Sequence, residues 1–270
     1  MLKKISIVAL AFLLCGAVQA ADFGADPNAD GSVAVRDNIH PLAPTQITQS
    51  VDPTQIVAGN GISCGSGGIT TDTSWFRLFD LDLDHGLTGT FTTEDVDWGA
   101  ETITGSQDVN LFVHCLDDGL PFLKQFLTQV GTSIQPVTDG ALVFYNTALI
   151  GACDADTQSM AVEIYSFDCL DTGLCINLYP GGNDLGQTGP TYIAADDCGI
   201  TDPTDLAGIG FPNAALVMVV NGDGTGGTGD GGSGDGGSGD DGGVPATTGI
   251  GLMLLVLALG GGSAYFVRRK

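Results

Sequence analysis

Short apolar runs separated by Gly, Asp and Asn fill the middle of the chain. They are five to nine residues long and rich in Val, Ile, Phe and Thr, which is typical of β-strands bounded by turns. Pro121 to Val130 fits either one short helix or a strand with an irregular loop. An all-β fold is therefore predicted for residues 47–221, an antiparallel β-sandwich that is jelly-roll-like. The predicted strands are Trp75 to Leu83, Val109 to Leu116, Ala141 to Tyr145, Met160 to Phe167, Cys175 to Tyr179 and Ala215 to Val220.

Residues 1–20 have the layout of a secretory signal peptide. Two lysines precede a ten-residue apolar stretch, Ile5 to Leu14, and Val18-Gln19-Ala20 offers small residues for cleavage before Ala21. The alternative, a lipoprotein signal acylated at Cys15, is disfavoured because Leu14 stands where a small residue is needed. Residues 21–46 are dense in Asp, Ala and Pro without an apolar period. We expect them to be a flexible acidic segment.

A second apolar segment lies at the other end of the chain. Residues 249–267 carry no charge and are followed by the basic residues Arg268, Arg269 and Lys270. A helix of that length spans about 28 Å, close to the hydrocarbon thickness of a bilayer, and basic residues favour the cytoplasmic side. The preceding residues 222–243 contain 13 Gly and 5 Asp, which predicts a linker that acts as a spacer. The chain is thus expected to end in a transmembrane helix.

Val244 and Pro245 stand just before this apolar segment. Together with the basic cluster they give residues 244–270 a layout that resembles the tripartite C-terminal sorting signals of Gram-negative surface proteins, of the PEP-CTERM and IPTL-CTERM types. The resemblance implies processing by an exosortase-like transpeptidase in the membrane. The run Pro-Ala-Thr-Thr-Gly at 245–249 also differs by one residue from a sortase LPxTG motif, which leaves a sortase-like enzyme as the alternative partner.

Several short stretches of the central region carry a second resemblance. Residues 62–222 resemble an uncharacterised β-sandwich module that recurs in secreted bacterial proteins, beside peptidase domains or sorting signals. The resemblance implies an accessory extracellular module and brings no ligand or catalytic residue with it. The stretches that carry it are Ser74 to Leu81, Gly186 to Ile193, Cys198 to Thr201 and Gly210 to Pro212.

The charge balance narrows the possible partners. Between the two terminal segments only Arg36, Arg77 and Lys124 are positive, against all 32 acidic residues, which gives a net charge of −29. Nucleic-acid binding is excluded because it requires clustered Lys and Arg. Of the 32 acids 29 are Asp, a residue of turns and calcium sites more than of helices.

The cysteines indicate an oxidising compartment. Without Cys15 the exported part has six, an even number that predicts three disulfides. Spacing favours a Cys169–Cys175 pair. Cys64–Cys198 would close the ends of the domain and leave Cys115–Cys153. The three histidines, His40, His85 and His114, are scattered and are expected to be solvated or packed.

Three patterns could carry chemistry. Gly61 to Gly65 matches the GxSxG nucleophile motif, but Ser66-Gly67-Gly68 follows and cannot begin the helix that the motif needs. Five aspartates are candidate calcium ligands or parts of a solvated acidic surface: Asp80, Asp82 and Asp84 on one face of a strand end, and Asp196 and Asp197 in a loop. Five aromatic residues either form a sugar-stacking platform or pack internally: Trp75, Trp98, Tyr145, Tyr179 and Tyr192.

These patterns favour an exported, envelope-anchored and non-enzymatic β-sandwich protein of the cell surface or matrix. The alternative is an extracellular carbohydrate-binding module, and a hydrolase is disfavoured. The expected partners are the exosortase-like or sortase-like enzyme, an extracellular matrix or polysaccharide, and the membrane through the C-terminal helix. Calcium is the one cofactor that the sequence suggests.

Overall fold

The computed structural model describes residues 22–36, 45–66, 69–168 and 176–225. These residues contain 18 β-strands and three short 3-10 helices. The signal peptide, most of the Gly/Asp linker and the whole C-terminal segment lie outside the described residues. The strands are β1 Asp22–Ala25, β2 Val33–Val35, β3 Thr45–Thr48, β4 Gln55–Val57, β5 Ile62–Ser66, β6 Ile69–Thr70, β7 Thr73–Phe79, β8 Thr88–Thr104, β9 Gln107–Asp117, β10 Thr128–Val137, β11 Gly140–Asp154, β12 Gln158–Ser166, β13 Asn177–Pro180, β14 Gly182–Asn183, β15 Thr191–Ala195, β16 Ile200–Asp205, β17 Ala215–Leu216 and β18 Met218–Thr225. The 3-10 helices are Lys124–Phe126, Asp196–Cys198 and Leu206–Ile209.

Two antiparallel sheets enclose the hydrophobic core. The six-stranded sheet has the order β10-β9-β12-β7-β15-β16, and the five-stranded sheet has β11-β8-β18-β3 with β13 also paired to β8. Side chains at alternate positions of both sheets, such as Trp75, Val162 and Trp98, meet in one buried cluster. The all-β sandwich predicted from the sequence is therefore confirmed. The jelly-roll connection stays a prediction.

The longest strand, β8, organises the five-stranded sheet but was not among the predicted strands. It pairs with β11, β18 and β13. Its core positions include Phe91, Val96 and Trp98, all fully buried. Threonines and acidic residues occupy most of its remaining positions, and they mask the apolar alternation that marks a half-buried strand.

Several boundaries differ from the predictions. The strand that begins near Trp75 ends at Phe79, because residues 81–85 form a turn. The segment 121–130 is a 3-10 turn followed by the start of β10, so the strand with an irregular loop was the better alternative. Strands β1 and β2 lie in the segment 21–46 that we expected to be flexible, paired with β5 and β4. Strand β18 continues to residue 225, so its last four residues belong to the predicted linker.

Disulfides connect distant parts of the sandwich. Cys64 on β5 is bonded to Cys198, with a Cα–Cα distance of 6.1 Å. Cys115 on β9 is bonded to Cys153 on β11, with a Cα–Cα distance of 5.6 Å, so this bond joins the two sheets. Both pairs agree with the predicted pairing. The third predicted pair, Cys169–Cys175, lies outside the described residues.

Arg77 lies on β7 of the six-stranded sheet and is fully buried. Its guanidinium donates to the carbonyl oxygens of Leu216 and Gly189 and to Oε1 of Gln187, at distances between 2.5 and 3.1 Å. Burial lowers the pKa of Arg77 to about 9. The side chain thus bonds β7 to two segments that lie more than 100 residues away in the sequence.

Among the described residues, no helix combines the length and apolar character that crossing a membrane requires.

Candidate ligand-binding face

Three polar side chains meet on the outer face of the six-stranded sheet. They come from neighbouring strands: Ser74 on β7, Glu163 on β12 and His114 on β9. The residues beside them along each strand, such as Trp75 and Val162, point into the core, so these three point away from it. The Ser74 hydroxyl donates to Oε1 of Glu163 at 2.5 Å, and Nε2 of His114 lies 2.7 Å from Oε2 of Glu163. All three residues are buried.

Only one of the two ring nitrogens of His114 has a hydrogen-bond partner among the described residues. Because a carboxylate oxygen accepts, Nε2 of His114 carries the proton that it donates to Glu163. The other ring nitrogen, Nδ1, is buried and has no hydrogen-bond partner among the described residues. A buried polar atom without a partner is uncommon in folded proteins.

Aromatic rings lie on both sides of this polar cluster. On one side the Tyr165 ring contacts Phe112 and Phe167, with centroid distances of 6.4 and 4.8 Å. On the other side the Phe122 ring contacts Phe76 and Tyr192, at 5.6 and 4.8 Å. All of these rings except Phe76 are half-buried. We call the six rings together with Ser74, Glu163 and His114 the aromatic face.

A loop places Phe122 on this face. Residues 118–127 connect β9 to β10 and include the 3-10 turn Lys124–Phe126. The backbone N–H of Lys124 donates to Oδ1 of Asp202 on β16, at 3.1 Å. This contact holds the loop against the far edge of the six-stranded sheet, so that Phe122 reaches Phe76 and Tyr192.

Asp72 marks one end of the aromatic face, just before β7. Burial raises the pKa of its carboxyl group, and the nearby charges of Asp196 and Asp197 act in the same direction. The hydrogen bond with Tyr165 and the charge of Lys124 oppose this shift. Three carboxyl groups, those of Asp72, Asp196 and Asp197, therefore lie near one another at this end of the face.

The connectivity of the polar cluster differs from that of a hydrolytic triad. In a triad the histidine lies between the nucleophile and the acid and removes the proton of the hydroxyl group. Here Glu163 lies in the middle, so the Ser74 hydroxyl donates to a carboxylate and not to the imidazole. Aromatic rings around a few fixed hydrogen-bonding groups are instead suited to holding a ligand with both apolar and hydroxyl surfaces.

The serine of the GxSxG motif lies elsewhere. Ser63 is buried within β5 and bonds with Oγ1 of Thr70 at 3.1 Å. Strand β5 leads to β6 and not to a helix, which agrees with the expectation from the glycines. The neighbouring Cys64 is occupied in a disulfide.

The aspartates that we predicted as calcium ligands do not converge. Asp80 to Asp84 were expected to alternate on a strand, but β7 ends at Phe79 and they lie in or beside a turn. Oδ1 of Asp80 accepts from the N–H of Leu83 at 2.9 Å. Asp196 and Asp197 belong to a separate 3-10 helix. Among the residues with described positions, no group of three or more His, Cys, Asp or Glu side chains is placed to hold a metal ion.

The predicted aromatic platform also has a different composition. Trp75 and Trp98 are buried in the core, and Tyr145 stacks on Trp98 at 4.8 Å. Tyr179 lies on β13, so only Tyr192 of the predicted five belongs to the aromatic face. The missed residues were detectable as alternations, since Phe112 is two residues before His114, and Glu163 two before Tyr165.

A separate cleft of about 210 Å³ lies beside the turn before β5. It is lined mainly by Gly59, Asn60, Phe211 and Asn213. Glu101 on β8 fixes this turn, because its carboxylate accepts the backbone N–H groups of residues 59, 60 and 61 at 2.6 to 3.0 Å. Burial raises the pKa of the Glu101 carboxyl group, and these hydrogen bonds oppose that shift.

The fold and its disulfides define the class of this protein, an all-β sandwich with disulfide bonds. Such bonds are typical of proteins that fold in an oxidising compartment. No protein-family model matches the chain, and no curated protein matches it. Similar solved structures include the cysteine protease and lectin-like domains of Cwp84, a surface layer associated protein of Clostridium difficile, with a TM-score of 0.36 and 11% identity over 65% of this chain and 35% of that chain. Another is the clostridial cysteine protease Cwp84 after propeptide cleavage, with a TM-score of 0.35 and 10% identity over 63% of this chain and 43% of that chain.

Proposed function

We propose that this protein is an exported, non-enzymatic β-sandwich module of the cell surface or extracellular matrix, held at the envelope by residues 244–270. The observation that carries the proposal is the pair of disulfides, Cys64–Cys198 and Cys115–Cys153, within the sandwich. Bonds of this kind persist outside the reducing cytosol. They agree with an N-terminal signal peptide and with the net charge of −29 that residues 21–243 carry.

The arrangement of polar groups supports the non-enzymatic part of the proposal. Ser74 donates to Glu163 and Ser63 bonds with Thr70, so neither hydroxyl is paired with an imidazole among the described residues, and both serines are buried. A nucleophilic serine is normally paired with a base that a third group orients, and its hydroxyl must be accessible to the substrate.

Cell fractionation tests the proposed anchoring. Deletion of residues 244–270 should release a folded, disulfide-bonded protein into the medium, while the intact chain stays with the envelope. The control is a deletion of linker residues 226–243, which should leave the protein in the envelope. A truncated protein that still fractionates with the envelope would refute the proposed anchor.

Carbohydrate binding is the second candidate function, and the aromatic face favours it. Sugars present apolar C–H faces that stack on aromatic rings, and hydroxyl groups that bond to fixed polar atoms. The Phe112 ring lies between those of Tyr165 and His114, and Nδ1 of His114 has no hydrogen-bond partner among the described residues. A jelly-roll-like sandwich would present such a face on one open sheet.

A glycan array with the full mature chain tests this second function. Phe112→Ala and Tyr165→Ala should each weaken binding of any glycan that the wild type retains. Phe144→Ala is the matched control, because Phe144 is a half-buried ring on the five-stranded sheet. No retained glycan, or an equal loss from all three substitutions, would contradict carbohydrate binding at the aromatic face.

A further inference from the structure

The cleft beside the turn before β5 shares no residue with the aromatic face. Its volume is about 210 Å³, and its walls come from the end of β1, from residues 59–62 and from residues 210–214. None of the residues that line it carries a charge, although residues 21–243 have a net charge of −29. The cleft is therefore suited to a neutral ligand, or to the neutral part of a larger one.

Two side-chain amides in this cleft are available to a ligand. Asn60 is half-exposed and Asn213 is exposed. Within the described part of the chain, no hydrogen bond joins either side chain to another protein group. Each amide has two donor hydrogens and one acceptor oxygen. Ligand groups that both donate and accept, as hydroxyl groups do, complement such a pair.

The cleft also has an apolar wall. Ile62, Phe211 and Pro212 contribute to it. The Phe211 ring is half-buried and packs against the hydrophobic core, which fixes its position. An aromatic ring beside fixed polar groups can bind a ligand that has both C–H and hydroxyl surfaces.

The backbone is held in place on both sides of the cleft. The turn that carries Asn60 is fixed by its three hydrogen bonds to Glu101. On the other side, the 3-10 helix Leu206–Ile209 ends at Gly210, and the N–H of Phe211 donates to the carbonyl oxygen of Leu206 at 2.9 Å. A site built on fixed backbone loses little conformational entropy when a ligand binds.

We propose that this cleft binds one neutral pyranose ring, either as a free sugar or as the terminal unit of a glycan. Hydroxyl groups of the ring would bond to the amides of Asn60 and Asn213, and its C–H face would lie on Phe211. The volume of 210 Å³ is below the range of about 300–1,000 Å³ that is typical of sites for drug-sized ligands, so it suits a single ring.

The charge of the protein selects among sugars. A sugar acid would meet no positive side chain in the lining of the cleft, and the net charge of −29 would repel it. Glucuronic acid should therefore bind at least about tenfold more weakly than methyl glucoside. A neutral peptide also offers donors and acceptors, so it is the competing ligand that the experiment has to separate from a sugar.

The inference goes beyond the proposed function and does not depend on it. Sugar binding in the cleft requires neither the anchor at residues 244–270 nor the aromatic face. Phe112→Ala should leave binding in the cleft unchanged, so failure of the cleft and failure of the aromatic face are distinguishable.

Solution NMR of the full mature chain in detergent micelles, with isotope-labelled asparagines, tests the proposal. The ligands are the methyl glycosides of glucose, galactose and mannose, and N-acetylglucosamine. At least one of them should shift the side-chain amide signals of Asn60 and Asn213 to saturation. Loss of each signal in Asn60→Ala or Asn213→Ala assigns it. The Asn110 amide is the internal control, because Asn110 lies opposite Tyr165 on the six-stranded sheet and its signal should not move.

The same substitutions test the energetics of binding. Asn60→Ala and Asn213→Ala should each raise the dissociation constant about tenfold, which is roughly the loss of one hydrogen bond to the ligand. Both variants should fold, because neither side chain bonds to the protein and the backbone N–H at position 60 still donates to Glu101. Asn110→Ala is the matched control and should bind as wild type does. Thermal melting checks the fold of each variant.

Three results would overturn the inference. The first is that none of the four sugars shifts the Asn60 and Asn213 signals. The second is an equal loss of binding in Asn213→Ala and Asn110→Ala, which would assign the sugar to another surface. The third is a neutral tripeptide that shifts these two signals and binds more tightly than every sugar, which would make the cleft a peptide site.

Discussion

Nη1 of Arg36 lies 3.1 Å from Oδ1 of Asp97, and this ion pair ties the segment after β2 to the outer face of the five-stranded sheet. The guanidinium also lies over the Phe144 ring, 4.9 Å from its centroid. Asp97 additionally accepts from the side-chain amides of Asn146 and Asn221, each at 3.0 Å. Arg36 is therefore the positive member of a polar network that the N-terminal segment completes.

Removal of this arginine should destabilise the fold. Arg36→Ala leaves the buried carboxylate of Asp97 with amide donors only, and loss of one partner of a buried ion pair costs about 3 kcal/mol. Guanidinium unfolding of the variant and of wild type measures the difference. Lys124→Ala is the control, because the Lys124 side chain is exposed. Equal losses from both substitutions would mean that Arg36 acts through overall charge and not through Asp97.

The two disulfides should contribute unequally to stability. Cys64–Cys198 closes 134 residues of chain and Cys115–Cys153 closes 38. The chain-entropy relation then gives about 5 and about 4 kcal/mol, respectively. Double Cys→Ser variants of each pair, compared by chemical unfolding, test the ranking. Thiol labelling of denatured wild type should find the four cysteines of these two disulfides blocked, and labelling of either pair would contradict the structure.

The strands that were predicted correctly share a clear physical signal. Strand β12 alternates Met160, Val162 and Ile164 toward the core, and such alternation is visible in the sequence. Strand β8 was missed because its outer positions carry polar residues, of which Asp95 and Asp97 find their partners only across the sheet. The cross-strand partner of Asp95 on β18, Asn221, is 126 residues away.

The alternation of aromatic and polar residues along single strands was visible in the sequence, but the meeting of three strands in one aromatic face was not. Ser74, His114 and Glu163 are separated by up to 89 residues, and they meet only through the register of three strands. The calcium prediction stays a prediction, and it rested on a purely local pattern. It relied on the local spacing of Asp80, Asp82 and Asp84 in a strand, and the chain turns at that point.

The three polar residues of the aromatic face should be energetically coupled. Glu163→Ala removes the acceptor of both Ser74 and His114, and a buried donor left without a partner costs about 1 to 3 kcal/mol. Addition of Ser74→Ala should cost less in the Glu163→Ala background than in wild type, because the hydrogen bond is already lost. A double-mutant cycle by chemical unfolding measures this coupling, expected at about 1 kcal/mol. Additive effects would refute the Ser74–Glu163 hydrogen bond. Glu94→Ala, at an exposed position of β8, serves as the control.

Asp72 should make stability depend on pH in a direction set by its raised pKa. Because the folded protein holds the proton of this carboxyl more tightly than the unfolded chain does, ionisation of Asp72 opposes folding. The penalty is fully present above the folded pKa and disappears as the pH falls toward the ordinary value of 3.8. Asp72→Asn removes the charge while it keeps an oxygen that can accept from Tyr165.

The variant should therefore melt at a higher temperature than wild type at neutral pH. As the pH is lowered through the folded pKa of Asp72, the two melting curves should converge, since wild type then carries a protonated, uncharged side chain at this position. Asp118→Asn is the matched control at an exposed turn, and its difference from wild type at neutral pH should be smaller. A difference between Asp72→Asn and wild type that persists unchanged at acidic pH would show that burial of the charge is not its cause. It would instead assign the effect to altered hydrogen bonding at Tyr165.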